Sequence, residues 1–481
     1  MSGSTPALLW LLVIAGLSIA YYATKPRHHP PGPRPLPLIG NLLQMPKDHD
    51  WKVFGKWSKI FGDCVYVRVL GQPIVILDSL TAAHELLGQR SAIYSSRPRL
   101  VMAGELTGFA QGLALMPYSP RFQSLRRLLH RELTANMLQK YWRLHEDESL
   151  ILMNKVLQDP TRLLEYIRHY AGSVILRVTY GYQTAPENDR FLLLSEKVMA
   201  AFSLAARPGA WAVDMIPWLR YLPSWFPGTE FKRKAAKWAQ LNMDVVEGPY
   251  IWAIENQDSA SLIQPNFLTT VLSQSPAVLS AEEKDLLLWS SGSLFAGGAD
   301  TTVAALSSFF LAMALYPEVQ ATAQAELDKV ISAHGQVPQL SDRPSLPYIE
   351  CVLREVLRWN PVTPLGVAHL LTEDDVYKGY NLAVGTIVMV NVWSILHDPL
   401  SFPEPFEFRP ERFMINDKKA VETLACAFGF GRRACPGVHF AESSMFIAIA
   451  TALFQCKISD PVDEQGEPIR RDVEYQTGTI R

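Results

Sequence analysis

The sequence carries little charge and almost no excess of either sign. Only 19% of its 481 residues are charged, and 45 Lys and Arg nearly balance 47 Asp and Glu, which leaves a formal net charge of -2. Proteins that bind nucleic acids usually carry a clear excess of positive charge, so the composition gives no support for that class. The 48% share of hydrophobic residues is high for a soluble chain. The length allows one large domain or two to three smaller ones.

Cysteine is scarce, and its pattern argues against two kinds of site. The five cysteines are Cys64, Cys351, Cys426, Cys435 and Cys456. Their number is odd, their spacing is irregular, and neither a C-x-x-C nor an H-x-x-H pair occurs. A disulfide framework and the usual zinc ligand sets are therefore unsupported. Scattered single cysteines are typical of reduced thiols facing the cytosol.

The N-terminus lacks charge altogether. Residues 1–24 contain no Asp, Glu, Lys or Arg, and residues 7–23 form a nearly continuous apolar run. At about 1.5 Å per residue, this run and its flanks cover most of a hydrocarbon core of roughly 30 Å. Lys25 and Arg27 follow directly, which predicts a single-pass anchor over residues 1–24 with the rest of the chain in the cytoplasm. A cleaved signal peptide is the alternative, and the absence of an early Lys or Arg disfavours it.

The rest of the chain reads as a stiff hinge followed by one largely helical domain. Alternating prolines between residues 30 and 37 impose an extended backbone, which predicts a Pro-rich hinge over residues 25–40 and a domain over 41–481. Sequence patterns predict these helical stretches: 121–131, 140–205, 286–316 and 347–359. They predict a minor β-region as well, with two strands in 63–79, a strand over 386–391 and a turn over 373–380.

Residues 428–437 carry the most specific chemical pattern, F-G-F-G-R-R-A-C-P-G. Gly431 and Gly437 would let the backbone turn and approach a flat ligand closely. Cys435 precedes a predicted helix, whose free N–H groups lower a thiol pKa and favour a thiolate. Arg433 offers a cation suited to a carboxylate. The pattern predicts a single thiolate held in a tight loop.

Three other interpretations of this loop remain open. Cys435 could be a buried structural cysteine in a glycine-rich turn. Gly429, Gly431 and Ala434 fit the dinucleotide pattern G-x-G-x-x-A, although no βαβ unit surrounds them. Cys435 and His439 could begin a zinc site, although no second pair completes four ligands.

Residues 286–316 form the longest stretch with little charge, and Asp300 is its only formal charge. A membrane span is an alternative that a mid-span carboxylate disfavours, so we predict a helix through the domain interior. Asp300 and Thr301 place an acid beside a hydroxyl in an apolar setting, which suits proton relay to bound oxygen. The other interpretation is that Thr301 bonds back to its own helix.

The loop at 428–437 fits F-x-x-G-x-R-x-C-x-G and resembles the haem-binding loop of the cytochrome P450 family. The resemblance continues in order along the chain, with a G-x-D-T at 298–301, an E-x-x-R at 355–358 and a P-E-R-F at 410–413. It implies a cytochrome P450 fold, mainly α with a minor β-region, around a buried haem b. Cys435 would be the thiolate ligand of the iron, and Asp300 with Thr301 would deliver protons.

The resemblance also implies roles for a wider set of residues. Arg126, His369 and Arg433 would hold the haem propionates, Phe428, Gly431 and Gly437 would shape the cofactor loop, and Glu355, Arg358 and Arg412 would form a structural triad. The family pattern W-x-x-x-R has Phe122 at the Trp position, which removes the indole N–H donor. We therefore assign a propionate contact to Arg126 but not to Phe122.

The resemblance implies a monooxygenase that oxidises an apolar small molecule. Electrons would come from a separate NADPH-dependent reductase, since the chain has no flavin or nicotinamide domain. Several segments resemble fungal microsomal members that act in secondary metabolism, which suggests a terpenoid or aromatic substrate and an endoplasmic reticulum location. A haem-thiolate isomerase or dehydratase and an inactive membrane-anchored haem-binding scaffold are the alternatives.

Two further stretches bear on membrane contact and completeness. Aromatic residues and prolines crowd into 211–227 and cations follow, which favours either a membrane-facing surface or an aromatic core cluster. The chain ends at Arg481, earlier than is usual in the family, so we expect a truncated or divergent C-terminus.

Overall fold

The computed structural model describes residues 28–207, 209–259, 261–276, 278–414 and 417–460, together with Gln465 and Ile469. The predicted anchor over residues 1–24 and the last twelve residues lie outside this part of the chain. The described residues are mainly helical with a minor β-region, as the sequence predicts.

The longer helices form the bulk of the domain. Those of seven residues or more in the described part are α1 (Asp50–Phe61), α2 (Pro120–Glu132), α3 (Trp142–Gln158), α4 (Leu163–Tyr180), α5 (Arg190–Ala205), α6 (Glu230–Glu255), α7 (Phe267–Ser273), α8 (Ala281–Leu315), α9 (Pro317–His334), α10 (Pro347–Trp359), α11 (Asp417–Phe428) and α12 (Val438–Gln455). Short α-helical segments are Leu80–Ala83, Ser91–Tyr94, Ala135–Leu138, Ala212–Met215, Val392–Leu396 and Glu411–Met414. Tighter or wider helical turns are Leu42–Gln44, His84–Gln89, Val101–Leu106, Phe109–Gln111, Gln139–Tyr141, Pro160–Arg162, Pro217–Tyr221, Leu340–Ser345 and Gly431–Arg433.

The β-region consists of two small sheets. Its strands are β1 (Cys64–Val69), β2 (Gln72–Leu77), β3 (His369–Leu370), β4 (Asp375–Tyr377), β5 (Tyr380–Leu382) and β6 (Ile387–Val390). Four strands pair in the order β1-β2-β6-β3, in which only the β2–β6 pair is parallel. The parallel pair brings the N-terminal hairpin beside a strand more than 300 residues later in the chain.

Strands β4 and β5 form a hairpin where the sequence predicts only a turn. Lys378 and Gly379 connect them with φ angles of 50° and 81°. Two consecutive residues of positive φ match the right-handed twist of antiparallel strands. The turn prediction is therefore correct for these two residues, and the flanking residues extend it into a pair of strands.

Helix α8 crosses the interior, as predicted. Ser280 caps its start, accepting a hydrogen bond from the Glu283 N–H while the Glu283 carboxylate accepts one from the Ser280 N–H. It packs against α2, α4, α6 and α12. A Cβ added to Gly298 would lie 2.8 Å from the Ile175 side chain of α4, so glycine allows the two helices to approach closely.

Two helices in the described part are long and apolar enough to cross a bilayer. They are α8 and α12. In the most apolar stretch of each helix, 56% of the residues of α8 and 72% of those of α12 are buried inside the protein. Helices that are apolar on all sides and enclosed by other helices form the core of a large domain.

The described part of the predicted hinge is docked on the domain. Tyr66 of β1 donates its N–H to the Pro31 carbonyl (3.0 Å), and the Asn41 N–H donates to the Arg68 carbonyl (2.6 Å). The His29 ring stacks on Tyr66 with centroids 4.4 Å apart. From residue 28 onward, the Pro-rich segment therefore forms part of the domain surface and is not a free linker.

A buried carboxylate joins α1 to the β-region. Asp78 follows β2, and one of its oxygens accepts hydrogen bonds from the Ser58 hydroxyl of α1 and from the Ser394 hydroxyl (2.9 Å for Ser394). Burial raises the pKa of Asp78 from 3.8 to about 6, against the lowering effect of these hydroxyls.

We expect Asp78→Asn to remove a pH-dependent part of the stability. The pKa of Asp78 is higher in the folded than in the unfolded chain, so its stabilising effect is fully present below pH 3.8 and is lost as the pH rises through 6. The loss should amount to about 1–3 kcal/mol. Urea unfolding in detergent at pH 4 and pH 8 measures the free energy of unfolding of the wild-type protein and of the variant. Relative to the wild-type protein, the variant should be more stable at pH 8 than at pH 4. A difference that is the same at both pH values contradicts this assignment.

Candidate active site

The cysteine loop connects α11 to α12 through a tight turn. Gly431 has φ 55°, and a Cβ there would lie 2.3 Å from the Leu87 carbonyl oxygen, so only glycine fits. The Cys435 N–H donates to the carbonyl of Phe428, the last residue of α11 (2.6 Å). Gly437 has an ordinary φ of -94° and immediately precedes α12. It lies in the turn that leads into α12, at a φ that other residues also adopt, and its N–H hydrogen-bonds the Cys435 thiol.

The Cys435 thiol lies at depth and is nevertheless accessible. Of the five cysteines, it alone has an exposed side chain, although enough protein surrounds its sulfur that burial raises the pKa of the thiol. The Gly437 N–H and the Arg126 cation lower this pKa, but burial is the larger effect. The N–H groups before α12 thus lower the pKa of the free thiol, as the sequence predicts, but they do not outweigh burial. An accessible atom at such depth lines an internal space.

Arg126 is a half-buried cation beside this thiol. Burial lowers the pKa of its guanidinium and the Cys435 sulfur raises it. Within the described residues, its side chain has no hydrogen-bond or ion-pair partner. A desolvated cation without a counter-ion is costly, so this side chain fits an anionic ligand.

Arg433 is buried nearby and bonds only to backbone oxygens. It donates to the carbonyls of Ser95 (2.6 Å), Leu113 (3.2 Å) and Met116 (2.5 Å). Burial and the neighbouring Arg126 charge lower its pKa to about 10. These contacts hold the Arg433 charge in place without neutralising it.

Arg97 joins Arg126 and Arg433 in a cationic cluster, and His369 lies beside it. Arg97 donates to the carbonyls of Ala114 (3.0 Å), Val367 (2.6 Å) and Ala368 (2.8 Å), and burial followed by the Arg433 charge lowers its pKa to about 9. The sequence around Arg97, S-S-R-P-R, contains no pattern that distinguishes this residue from a surface cation, so Arg97 is not among the predicted site residues.

His369 lies in β3 with its Nδ1 2.7 Å from the Tyr94 carbonyl. Burial first, and then the Arg97 charge, lower the pKa of His369 to about 3, so the ring is neutral and donates from Nδ1. Among the described residues, no Asp or Glu pairs with Arg97, Arg126 or Arg433. The cluster therefore suits a ligand with carboxylates.

The centre of α8 opens onto space on one side. Ala296 and Gly297 are exposed within an otherwise apolar and largely buried helix, and a Cβ on Gly297 would meet nothing within 4 Å. The Thr301 hydroxyl donates to the Gly297 carbonyl (2.8 Å), which is the back-bonded arrangement weighed from the sequence. Burial raises the pKa of Asp300, and Arg168 opposes this weakly.

The loop that contains Leu113 contacts α8 just before this opening. The Leu113 N–H donates to the Ser293 hydroxyl (3.1 Å), one turn before Gly297. In the same loop, Glu105 forms an ion pair with Arg220 of the 211–227 segment. The ion pair thereby connects this loop to the aromatic segment.

The three residues of the predicted triad are in contact. Glu355 receives two hydrogen bonds from Arg358 (2.7 and 2.8 Å) and one from Arg412 (3.2 Å). Arg358 also donates to the carbonyls of Leu396 (2.9 Å) and Pro405 (2.8 Å). The triad thus joins α10 to the segments that precede the cysteine loop.

The arrangement fits a flat dianionic ligand with a metal at its centre. It offers one accessible thiol for the metal and a cluster of cations for two carboxylates. At Gly297, α8 has no side chain that would keep a flat ligand away from the helix. The family model for cytochrome P450 matches residues 30–476, and the chain belongs to the cytochrome P450 family. Haem with a thiolate-ligated iron is the cofactor of that family, and the chain is an oxidoreductase of the monooxygenase class.

Similar curated proteins include fungal cytochrome P450 monooxygenases, of which the chain covers about nine tenths of the length. Cytochrome P450 monooxygenase 226 of Postia placenta is 42% identical over 98% of this chain and 89% of its own. Cytochrome P450 monooxygenase claR of Ampulloclitocybe clavipes is 40% identical, over 99% and 90%. Cytochrome P450 monooxygenase ppsD of Aspergillus oryzae is 37% identical, over 98% and 90%.

Proposed function

We propose that this protein is a membrane-anchored monooxygenase that oxidises an apolar small molecule, terpenoid or aromatic, in fungal secondary metabolism. The observation that carries the proposal is the accessible Cys435 thiol at depth, beside the unpartnered Arg126. The fungal origin of the relatives supports the biological setting. The exposed residues Ala296 and Gly297, which carry no polar side chain, support an apolar substrate.

Each site residue has a defined task in this proposal. Cys435 would hold haem b through its iron, and the haem would supply the chemistry of dioxygen activation and oxygen insertion. Arg126, Arg433 and Arg97 hold the propionates, and the neutral His369 packs beside them. Phe428 and Gly431 keep the loop in its turn.

Asp300 and Thr301 supply protons. Burial raises the pKa of the Asp300 carboxyl, so this group takes up and releases a proton more readily near neutral pH than a free Asp does. The Thr301 hydroxyl donates to the Gly297 carbonyl and still accepts hydrogen bonds through its lone pairs. Water linking the two side chains would carry protons from Asp300 to the Thr301 oxygen.

Electrons come from an NADPH-dependent reductase in the same membrane. The aromatic segment supports membrane contact, since Trp218, Tyr221 and Trp225 are 61%, 73% and 80% exposed. Exposed Trp and Tyr beside cations favour the membrane–water interface. Contact of the aromatic segment with the membrane surface agrees with an anchor over residues 1–24 in the endoplasmic reticulum membrane and a catalytic domain on its cytoplasmic side.

Replacing Thr301 with Ala should uncouple oxygen consumption from product formation. The variant loses the hydroxyl beside the exposed Gly297, so proton delivery no longer matches electron delivery, and product per NADPH should fall about tenfold or more. The measurement is NADPH consumed, hydrogen peroxide released and product labelled from ¹⁸O₂, in vesicles that contain the reductase and an apolar substrate. Ser307→Ala, which also removes a back-bonded hydroxyl from α8, is the matched control and should stay coupled.

Unchanged coupling in Thr301→Ala would refute this role of Thr301. Product without a labelled oxygen atom in the wild-type protein would refute the monooxygenase proposal and favour an isomerase or dehydratase.

A further inference from the structure

Phe122 lies directly beneath the Arg433 guanidinium. The Arg433 Cζ is 3.7 Å from the centroid of the Phe122 ring, and Phe122 is only 1% exposed. A guanidinium at this distance from an aromatic face is held by a cation–π interaction, which gains strength when it is desolvated.

The position of Arg433 needs such support. Its three hydrogen bonds to backbone carbonyls hold the edge of the guanidinium, but no carboxylate among the described residues offsets its charge. Arg126 lies one turn after Phe122 on α2 and is therefore close to Arg433 as well. The charges of Arg126 and Arg433 repel each other. The negative face of the Phe122 ring is the group that attracts Arg433 from below.

We propose that Phe122 is a positioning residue that holds Arg433 beside Arg126, so that the two cations grip one haem propionate together. The ring acts through its face and not through a hydrogen-bond donor. An aromatic replacement should therefore preserve the effect, and an aliphatic one should remove it. The proposal rests on the haem-binding function proposed above.

A purely structural role for Phe122 makes a different prediction. The ring also packs against Tyr118, with centroids 5.5 Å apart, as an ordinary core residue would. If core packing were its only contribution, Phe122→Leu would lower the stability of the protein without a specific effect on haem retention. The test must therefore measure haem retention and stability separately.

The experiment compares Phe122→Leu with Phe122→Trp, and with Phe267→Leu as a matched control. Phe267 is also 1% exposed, lies in α7, and has no cation over its ring among the described residues. The measurement is the rate of haem transfer from the ferric full-length protein to excess apomyoglobin, alongside the thermal midpoint of each protein.

We expect Phe122→Leu to release haem about fivefold faster or more. Phe122→Trp and Phe267→Leu should stay within about twofold of the wild-type rate, whatever their thermal midpoints. Release at the wild-type rate by Phe122→Leu, or equally fast release by Phe122→Trp, would overturn the proposal.

A second measurement separates this inference from the proposed function. If the reduced wild-type protein shows no thiolate-type carbon monoxide spectrum, the proposed function fails. The contact is then tested by urea unfolding of Phe122→Leu, Arg433→Met and the double variant. The product of the two single fold-changes in the unfolding equilibrium constant should differ from the fold-change in the double variant by about threefold or more. Effects that multiply within error would refute the contact.

Discussion

Replacing Cys435 with serine should abolish thiolate ligation and reduce substrate oxidation by roughly three orders of magnitude or more. Serine has nearly the same size and keeps a hydrogen-bonding atom, so the tight turn at Gly431 and the Cys435 N–H bond to Phe428 remain possible. The hydroxyl is a far weaker donor to iron than a thiolate. The variant should therefore fold, bind less haem and lose the electron donation that oxygen cleavage requires.

The carbon monoxide difference spectrum of the reduced protein provides the measurement. The wild-type protein should show the long-wavelength Soret band of thiolate-ligated haem, and Cys435→Ser should show the shorter-wavelength band or none. Cys426→Ser is the matched control, because Cys426 is a buried cysteine on the preceding helix α11, and it should retain the long-wavelength band. A long-wavelength band in Cys435→Ser would mean that another group ligates the iron.

The parts of the site that lie close together in the sequence could be predicted from it. The cysteine loop and the E-x-x-R pair are local patterns, and a spacing of three residues on a helix places Glu355 and Arg358 on one face. The ends of α10 coincide with the residues predicted, and those of α2 and α8 lie within a few residues. Apolar residues at helical spacing define α2 and α10, each of which begins with a proline, and a capping serine precedes α2 and α8.

The cationic cluster could not be predicted in full, because tertiary contacts assemble it. Arg97 is identified only by its bonds to carbonyls in residues 114 and 367–368. The pKa of Cys435 depends on how much protein surrounds the sulfur, which the neighbouring sequence does not encode. Likewise, the substitution of Phe for Trp at position 122 looks like a lost donor until Arg433 is found on its face.

Replacing Glu355 with Ala should have the largest effect on stability. The Glu355 and Arg358 side chains are completely buried, and Arg412 is only 7% exposed. The substitution leaves two desolvated guanidinium groups without their anion, which costs about 3–5 kcal/mol. Since the whole domain is stable by only about 5–15 kcal/mol, the variant should accumulate poorly and contain little haem. Urea unfolding and the ratio of haem to protein measure both effects.

The matched control and a double variant identify the cause. Glu165 accepts from Arg162 at the same spacing of three residues, but its side chain is 57% exposed, so Glu165→Ala should change stability little. If unpaired buried charge is the main cost of Glu355→Ala, removing the Arg358 charge as well should recover part of it. The double variant Glu355→Ala/Arg358→Met should then be less destabilised than the sum of its single variants. An additive double variant would mean that the triad contributes through packing and the bonds to the carbonyls of Leu396 and Pro405, and not through charge pairing.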